Sequence, residues 1–340
     1  MNEPTYQEIA DKVGVSISTV SRILTGSANV SDATSQKVLQ FFNKNNYDIT
    51  LMRTKRTDRT KGPIIFNVPS MTNPFYSPIA SGAKTKASNY GYSLLINEEH
   101  INNNTIDNFI NLIKRIKAVG LIITNSVPEI LLKKLAAVVP LVQCCEFNES
   151  VHLPYVSIDD LAATKNIMIY LFSQGRKNIA LINGPIQYKY ARYRLKGYLE
   201  SLNEKNIVPD PSLIIQLPEI NYDIAVSEVI HLLQKGKRPD AFFCVSDVYA
   251  AAVIKAGKRL GFSVPKDFVV IGFDNIEIAS MTYPTITTVN QPKHQLGASS
   301  CELLIEQITN SQTPIRNILL ETELIIRESS LERAVYSRLI

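Results

Sequence analysis

The chain of 340 residues has a net charge of +5, with 45% hydrophobic and 20% charged residues. So high an apolar content beside so modest a charge excludes extensive disorder and is enough for two or three cored units. No apolar run approaches the roughly 18 residues of a membrane helix, and Met1 to Glu8 are polar and acidic, unlike a leader peptide, so a cytoplasmic protein without membrane partners is expected.

Three short helices come first. Thr5 to Glu8 is a capping box, in which the Thr5 hydroxyl can accept a backbone N–H while Glu8 reaches back. Tyr6, Ile9, Ala10 and Val13 form an apolar stripe; Gly14 breaks the helix, and Ser16 can cap a second one carrying Val20, Ile23 and Leu24 inward. Gly26 ends that helix, and Ser31 can cap a third whose Val38, Leu39 and Phe42 close a small core. Two short helices joined by a tight glycine turn make a helix-turn-helix. Ile17, Ser18 and Arg22 lie opposite the apolar face, where Arg22 can fork onto guanine O6 and N7 and Ile17 can touch a thymine methyl. Thr5, Ser16, Thr19, Ser21 and Asn29 complete the candidate DNA contacts around them.

Five of the nine basic groups in residues 1–61 fall between Arg53 and Lys61, where no apolar periodicity remains. Such a stretch is either a solvated linker or a phosphate-contacting arm. Following a helix-turn-helix it reads as an arm, with Arg53, Lys55 and Arg56 as candidate contacts. The alternative is a plain three-helix cap whose surface has no partner.

From Pro63 onward, β-branched runs alternate with amphipathic stretches. Strands are expected at 64–68, 93–96, 121–124, 141–144, 179–182, 242–245 and 268–271. Helices are expected at 79–89, 108–117, 162–174, 195–205, 225–234 and 248–260. Continuous apolar strands alternating with helices mean parallel sheets covered on both faces, and their number suits two lobes better than one sheet. Ligands of such sheets sit at the carboxyl ends of the strands. Asn73, Phe75, Tyr76, Asn125, Arg194, Ser246, Asp247 and Asp274 fall at or just beyond those ends and are the candidate ligand residues. Loop and capping chemistry favours the same residue types. Arg194 and Asp274 can point into one cleft and grip a ribose or sugar diol together, with Phe75 or Tyr76 stacked on a ring. A mutual Arg194–Asp274 salt bridge that only pins the lobes is the alternative. Ile79, Ala83 and Ala87 repeat at four-residue spacing, which leaves a stripe for a partner chain or for the core.

Two sets of motifs carry a family resemblance. Tyr6-Gln7-Glu8-Ile9-Ala10 followed by Val13-Gly14-Val15-Ser16-Ile17-Ser18-Thr19-Val20-Ser21-Arg22 resembles the headpiece of the lactose-repressor family, with Tyr47 where that family closes its third helix. Asn73-Pro74-Phe75-Tyr76, Arg192 to Tyr198, Val245-Ser246-Asp247 and Ile271-Gly272-Phe273-Asp274 resemble the family's effector domain. The resemblance implies an all-α helix-turn-helix headpiece plus an α/β effector domain of two doubly wound parallel-sheet lobes, similar to periplasmic sugar-binding proteins. It places the headpiece at 1–46, a basic hinge at 47–61 and the effector and dimerisation domain at 62–332. Lobe 1 would take about 62–160 and 291–320, and lobe 2 about 161–290 and 321–332. Crossovers fall near Ser157–Asp160, Val289–Pro292 and Glu321–Leu324. One departure stands out: aligned on Arg53, Lys55 occupies the position of the leucine that wedges into the minor groove, leaving Leu51 or Met52 as substitutes. Glu146-Phe147, Leu153-Pro154, Ile158-Asp159, Phe273 to Ile276 and Glu323 to Arg327 resemble the family's cytidine-responsive members. That likeness implies a double-stranded operator, a homodimer, a small-molecule effector that is cytidine, and a co-bound activator such as the cyclic-AMP receptor protein.

Other readings fare worse. No dinucleotide fingerprint, phosphate loop or zinc spacing appears, and His100, His152, His231 and His294 are scattered, so neither an enzyme nor a cofactor or metal is expected. Cys144, Cys145, Cys244 and Cys301 suit reduced thiols rather than a disulfide framework. A periplasmic transport receptor would carry no DNA-binding head. An effector-independent DNA-binding protein would ignore every small molecule.

Overall fold

The computed structural model describes residue 4 and residues 6–25, 30–45, 61–310 and 312–331, with backbone alone at 21, 24, 25 and 32. The chain divides into two compact units, Met1–Lys61 and Gly62–Ile340.

The first unit holds α1 (Tyr6–Val13), α2 (Ile17–Thr25) and α3 (Asp32–Lys44). Gly14, at φ +71°, makes the left-handed turn between α1 and α2, and the Val15 N–H donates back to the Ala10 carbonyl at 3.1 Å. Ser16 Oγ accepts the Thr19 N–H at 3.1 Å, and Ser31 Oγ accepts that of Thr34 at 3.4 Å, so both caps form. Ile9, Ala10, Val20, Ile23, Val38 and Phe42 are the buried core. Leu39 does not join it. One step round α3 from Val38, its side chain is 38% exposed, and Phe41 packs instead, edge-on to Phe42 with ring centroids 6.1 Å apart. The Thr5 half of the capping box, Gly26, Tyr47, Leu51 and Met52 lie outside the described residues.

In the second unit one six-stranded sheet is built from β1 (Lys61–Val68), β2 (Tyr92–Glu98), β3 (Gly120–Ile123), β4 (Leu141–Cys144) and β5 (Tyr155–Ile158), with α4 (Tyr76–Asn89), α5 (Ile106–Arg115) and α6 (Glu129–Ala136) between them. The chain then passes to a second sheet. There α7 (Asp160–Ser173), β6 (Ile179–Asn183), α8 (Lys189–Glu204), β7 (Ile214–Gln216) and α9 (Tyr222–Gln234) come first. They are followed by β8 (Ala241–Cys244), α10 (Asp247–Arg259), β9 (Val269–Asp274), the short α11 (Ile278–Met281) and β10 (Thr287–Asn290). Helix α12 (Lys293–Thr309) and β11 (Asn317–Leu320) return to the first sheet, and β12 (Glu323–Ile325) closes the second. The strand orders are β11-β5-β4-β3-β1-β2 and β12-β10-β9-β8-β6-β7. Each order has the same winding, and β10–β12 is an antiparallel edge pair. Of the apolar runs read from sequence, all but 93–96, which is the edge strand β2, are central strands; Ile64, Ile65, Phe66 and Val68 are all fully buried, as strands covered on both faces require. All four cysteines are free thiols.

Lobe 1, the unit around the first sheet, is closed by α12 lying on α4. A Cβ at Gly297 would stand 1.8 Å from the Ile79 carbonyl oxygen, and one at Gly82 would stand 2.0 Å from that of His294, so only glycine permits this approach. Ile79, Ala83 and Ala87 are consequently fully buried. The stripe therefore belongs to the core of this chain and is not open to a partner.

Candidate functional site

In the headpiece, α2 turns Val20 and Ile23 into the core and leaves Ile17, Ser18 and Arg22 exposed on the other side. Ser16 Oγ sits 2.7 Å from Ser18 Oγ and 2.8 Å from Thr19 Oγ1, so the start of α2 is a hydroxyl cluster beside Ile17. These are groups that can meet phosphate oxygens and base edges. Thr5, the Ser21 side chain, Asn29, Arg53, Lys55 and Arg56 lie outside the described residues.

In the second unit a cavity of about 410 Å³ opens between the two sheets, at the carboxyl ends of their strands. Asn73, Phe75, Tyr76, Arg194, Ser246 and Asp274 line it. Two candidates do not. The Asn125 amide is consumed in lobe 1, where it accepts from Asn67 Nδ2 at 2.7 Å and donates to the Glu99 carbonyl at 3.0 Å. Asp247 lies fully buried behind the wall; its Oδ2 accepts the Ile276 N–H at 2.9 Å, and its Oδ1 has no hydrogen-bond partner. Burial, reinforced by the nearby Asp274 charge, pushes the Asp247 carboxyl up to about 8.

Arg194 is organised differently from the sequence expectation. Its guanidinium forks onto Asp160, with Nε donating to Oδ1 at 2.9 Å and Nη2 2.8 Å from the same oxygen. Nη1 donates to the Val245 carbonyl at 2.6 Å, and the group lies 3.4 Å over the Phe273 ring. Asp274 is 3.8 Å away, too far for a hydrogen bond, and takes its own from Gln291 Nε2 at 2.8 Å. The carboxylate that pairs with Arg194 is therefore Asp160 rather than Asp274. Burial pushes the Asp274 carboxyl up to about 6, even against the Arg194 and Lys293 charges.

Sequence reasoning missed Asp160, Glu146 and Lys189. Asp160 N-terminates α7 at the first crossover and also binds Lys189 Nζ at 2.6 Å. Burial opposes its charge, but Lys189 and Arg194 outweigh it and hold the carboxyl below its ordinary range. Lys189, 3% exposed, further donates to Ser157 Oγ at 3.0 Å. Glu146, just beyond β4, accepts the backbone N–H groups of Lys189 at 2.6 Å and Tyr190 at 3.2 Å. The signal was there only in part: Ile158-Asp159 and Glu146-Phe147 stood out as motifs, with no hint of a shared lysine. Aromatic rings face the cavity from both lobes, Phe75 and Tyr76 from one, and Tyr188 and Tyr190, stacked at 5.6 Å, from the other. The lining can thus hold a polyhydroxylated ligand by carboxylate and guanidinium groups while rings cover a flat face.

Residues 5–48 match the family described as bacterial regulatory proteins, lacI family, and residues 169–330 match the periplasmic binding protein-like domain. The HTH-type transcriptional repressor CytR of Escherichia coli (strain K12) is 33% identical over 328 residues, which cover 96% of either chain. The chain belongs to the lacI family. As a lacI-family protein it is a DNA-binding transcriptional regulator, not an enzyme. Among solved structures, the transcriptional regulator CelR–cellobiose complex is 26% identical, with a TM-score of 0.73 and coverage of 96% of this chain and 100% of that one. The lac repressor dimer bound to operator and the anti-inducer ONPF is 24% identical; with a TM-score of 0.75 over 97% and 100% it shares the fold. Among the described residues no helix is long and apolar enough to cross a membrane, and no group of three or more His, Cys, Asp or Glu side chains could hold a metal.

Proposed function

We propose that this lacI-family chain is a cytoplasmic, ligand-responsive repressor that binds its operator as a homodimer and takes cytidine or a related nucleoside as effector. The observation that carries the reading is the inter-lobe cavity, where Asp274, Asp160 and Arg194 meet four aromatic rings in a chain that also bears a DNA-reading helix. The acids suit a ribose diol and the rings a base. One headpiece reads too few base pairs to select a site in a genome, which favours a dimer. Within this reading α2 contacts bases through Ile17, Ser18 and Arg22, and Arg53, Lys55 and Arg56 grip phosphates from a hinge spanning 47–61. Closing the lobes on a ligand would respace the headpieces.

Operator binding, measured with and without cytidine, 2′-deoxycytidine, adenosine, ribose and cellobiose, tests the proposal. Cytidine should change operator affinity, 2′-deoxycytidine should act more weakly, and Arg194→Ala should abolish the response while DNA binding persists. Arg22→Ala should weaken the operator more than scrambled DNA. A second reading, a sugar effector, is favoured by the likeness to the CelR–cellobiose complex. A response to ribose or cellobiose and to no nucleoside would select it.

A further inference from the structure

Resting on the reading of the cavity as the effector site, we infer that Glu146 is a specificity-determining residue: its carboxylate occupies an anion cradle at the cavity and so bars effectors that carry phosphate. A helix N-terminus offers unpaired N–H groups and the positive end of the helix dipole, the usual seat of a phosphate. Four helices, α4, α7, α8 and α10, begin at this cavity, and α7 is capped by Asp159, whose Oδ1 accepts the Ala162 N–H at 2.9 Å. The start of α4 is turned onto Asn73, whose Oδ1 accepts the Phe75 N–H at 3.1 Å, and that of α10 onto Ser246, whose Oγ accepts the Val248 N–H at 3.3 Å. The sixteen-residue α8 is met instead by a carboxyl group, which burial pushes up from its ordinary value while the Lys189 charge and the two N–H groups it accepts pull it back down. Glu146 reaches it from the other lobe, is 4% exposed, and spends one oxygen on each of the first two N–H groups of the helix.

The rest of the lining works in the same direction. Glu98, Glu219 and Asp274 face the cavity beside Glu146, with Arg194 as the guanidinium among them. Asp160 also lines the cavity, but its carboxylate is shared by Arg194 and Lys189. The two lysines behind the wall are committed: Lys189 to Asp160 and Ser157, and Lys293 to the backbone carbonyls of Asp274 and Asn275. An entering phosphate would find its cradle filled and carboxylates beside it, in a site where water screens little. Neutral polyols and nucleosides meet no such opposition.

The test uses the full chain and calorimetry with matched probes, cytidine against cytidine 5′-monophosphate and ribose against ribose 5-phosphate, together with inorganic phosphate alone. In the wild type the phosphorylated member of a pair should bind at least roughly tenfold more weakly than its neutral partner, and inorganic phosphate should not saturate. In Glu146→Ala, and to a lesser degree in the isosteric Glu146→Gln, the ratio of the two affinities should fall and inorganic phosphate should bind saturably. Urea melts of both variants identify any loss of folding, and the milder one keeps the comparison open. Wild-type binding of a phosphorylated probe as tight as its neutral partner, or no gain of phosphate binding in either folded variant, would overturn the role of Glu146. Silence of every neutral probe would instead count against the cavity as a nucleoside or sugar site, and the inorganic phosphate arm would still decide what Glu146 does.

Discussion

In lobe 1 the ends of β1, β2 and β3 bring Asn67, Asn97 and Asn125 into one amide cluster, with Asn97 Nδ2 donating to Asn67 Oδ1 at 2.7 Å and Asn67 Nδ2 to Asn125 Oδ1 at 2.7 Å. The strands of matching position in lobe 2, β6 and β7, repeat the first of those pairs: Asn183 Nδ2 donates to Gln216 Oε1 at 3.0 Å. There the likeness stops. Where lobe 1 continues with Asn125, lobe 2 has Ser246 and Asp247 after β8, and β9 ends on Asp274. Even the backbone echoes across the pair. Cys145 beyond β4, and Asp274 and Asn275 at the end of β9, all hold positive φ, which bends the chain sharply at the cavity rim. The amide pair belongs to the architecture, since both lobes need it to tie a central strand to an edge. The buried Asp160–Lys189–Arg194 cluster and Asp274 belong to the second lobe and the crossover beside it, whereas lobe 1 contributes Glu98 and Glu146 to the lining.

The largest change should come from breaking the charged side of this contrast. Asp160→Ala would leave Lys189 and Arg194 buried without their counter-charge, at a cost of about 3–5 kcal/mol. Urea unfolding measures it, and a loss below about 1 kcal/mol would show the pairing to be dispensable. Next comes packing. Gly297→Ala sets a methyl against the Ile79 carbonyl, which cannot yield without parting α4 from α12, and should cost about 1–3 kcal/mol or more. Gly257→Ala in lobe 2 would meet only the Phe268 ring, 2.7 Å away at Cζ, and should cost about 1 kcal/mol or less, because the ring can shift and alanine favours the helix. Equal losses would erase this difference between the lobes.

A smaller effect separates architecture from ligand chemistry. Asn125→Ala should lower stability by about 1–2 kcal/mol through its unpaired amide neighbours and leave effector affinity nearly unchanged. Asp274→Asn should do the reverse, and calorimetry beside urea melts reads both. The last comparison is one of slope. Asp247 is raised to about 8 by burial and Asp274 to about 6 by the same cause. An acid raised on folding contributes stability below its unfolded value of about 3.9 and loses it as pH climbs towards the folded one. The melting temperature of Asp247→Asn relative to the parent should therefore improve steadily between pH 5 and about 8. A constant offset would mean that Asp247 titrates normally.

The fold was legible where burial alone decides it. Val269 to Ile271 and Ile179 to Ile182 are continuous apolar runs because helices cover both faces of their sheet. Helix α12 escaped notice for a related reason. Buried along Leu296, Gly297, Ser300, Cys301 and Leu304, it shows small residues where an amphipathic stripe would be sought. The strands β11 and β12 are short edges mixing polar and apolar residues, which carry little periodic signal. For the site, the strand-end rule found six lining residues and misplaced Asn125 and Asp247, since composition does not say whether an amide is consumed by neighbouring amides or a carboxyl is buried behind the wall. It could not find the Asp160–Lys189–Arg194 cluster, whose members meet only because a crossover and α8 converge.

The return of the chain to lobe 1 so late in the sequence has a consequence for synthesis. The helix that seals Ile79 lies more than two hundred residues downstream of it, and Ser329 closes β9 by accepting the Val270 N–H at 2.9 Å and donating to the Val270 carbonyl. A ribosome must therefore deliver nearly the whole polypeptide before either half of the effector domain can be finished. A product cut short ahead of Lys293 would carry its headpiece with both lobes unsealed. Such a fragment presents open apolar surface to proteases and chaperones, so incomplete regulators would be removed before they could occupy DNA without being able to answer a signal.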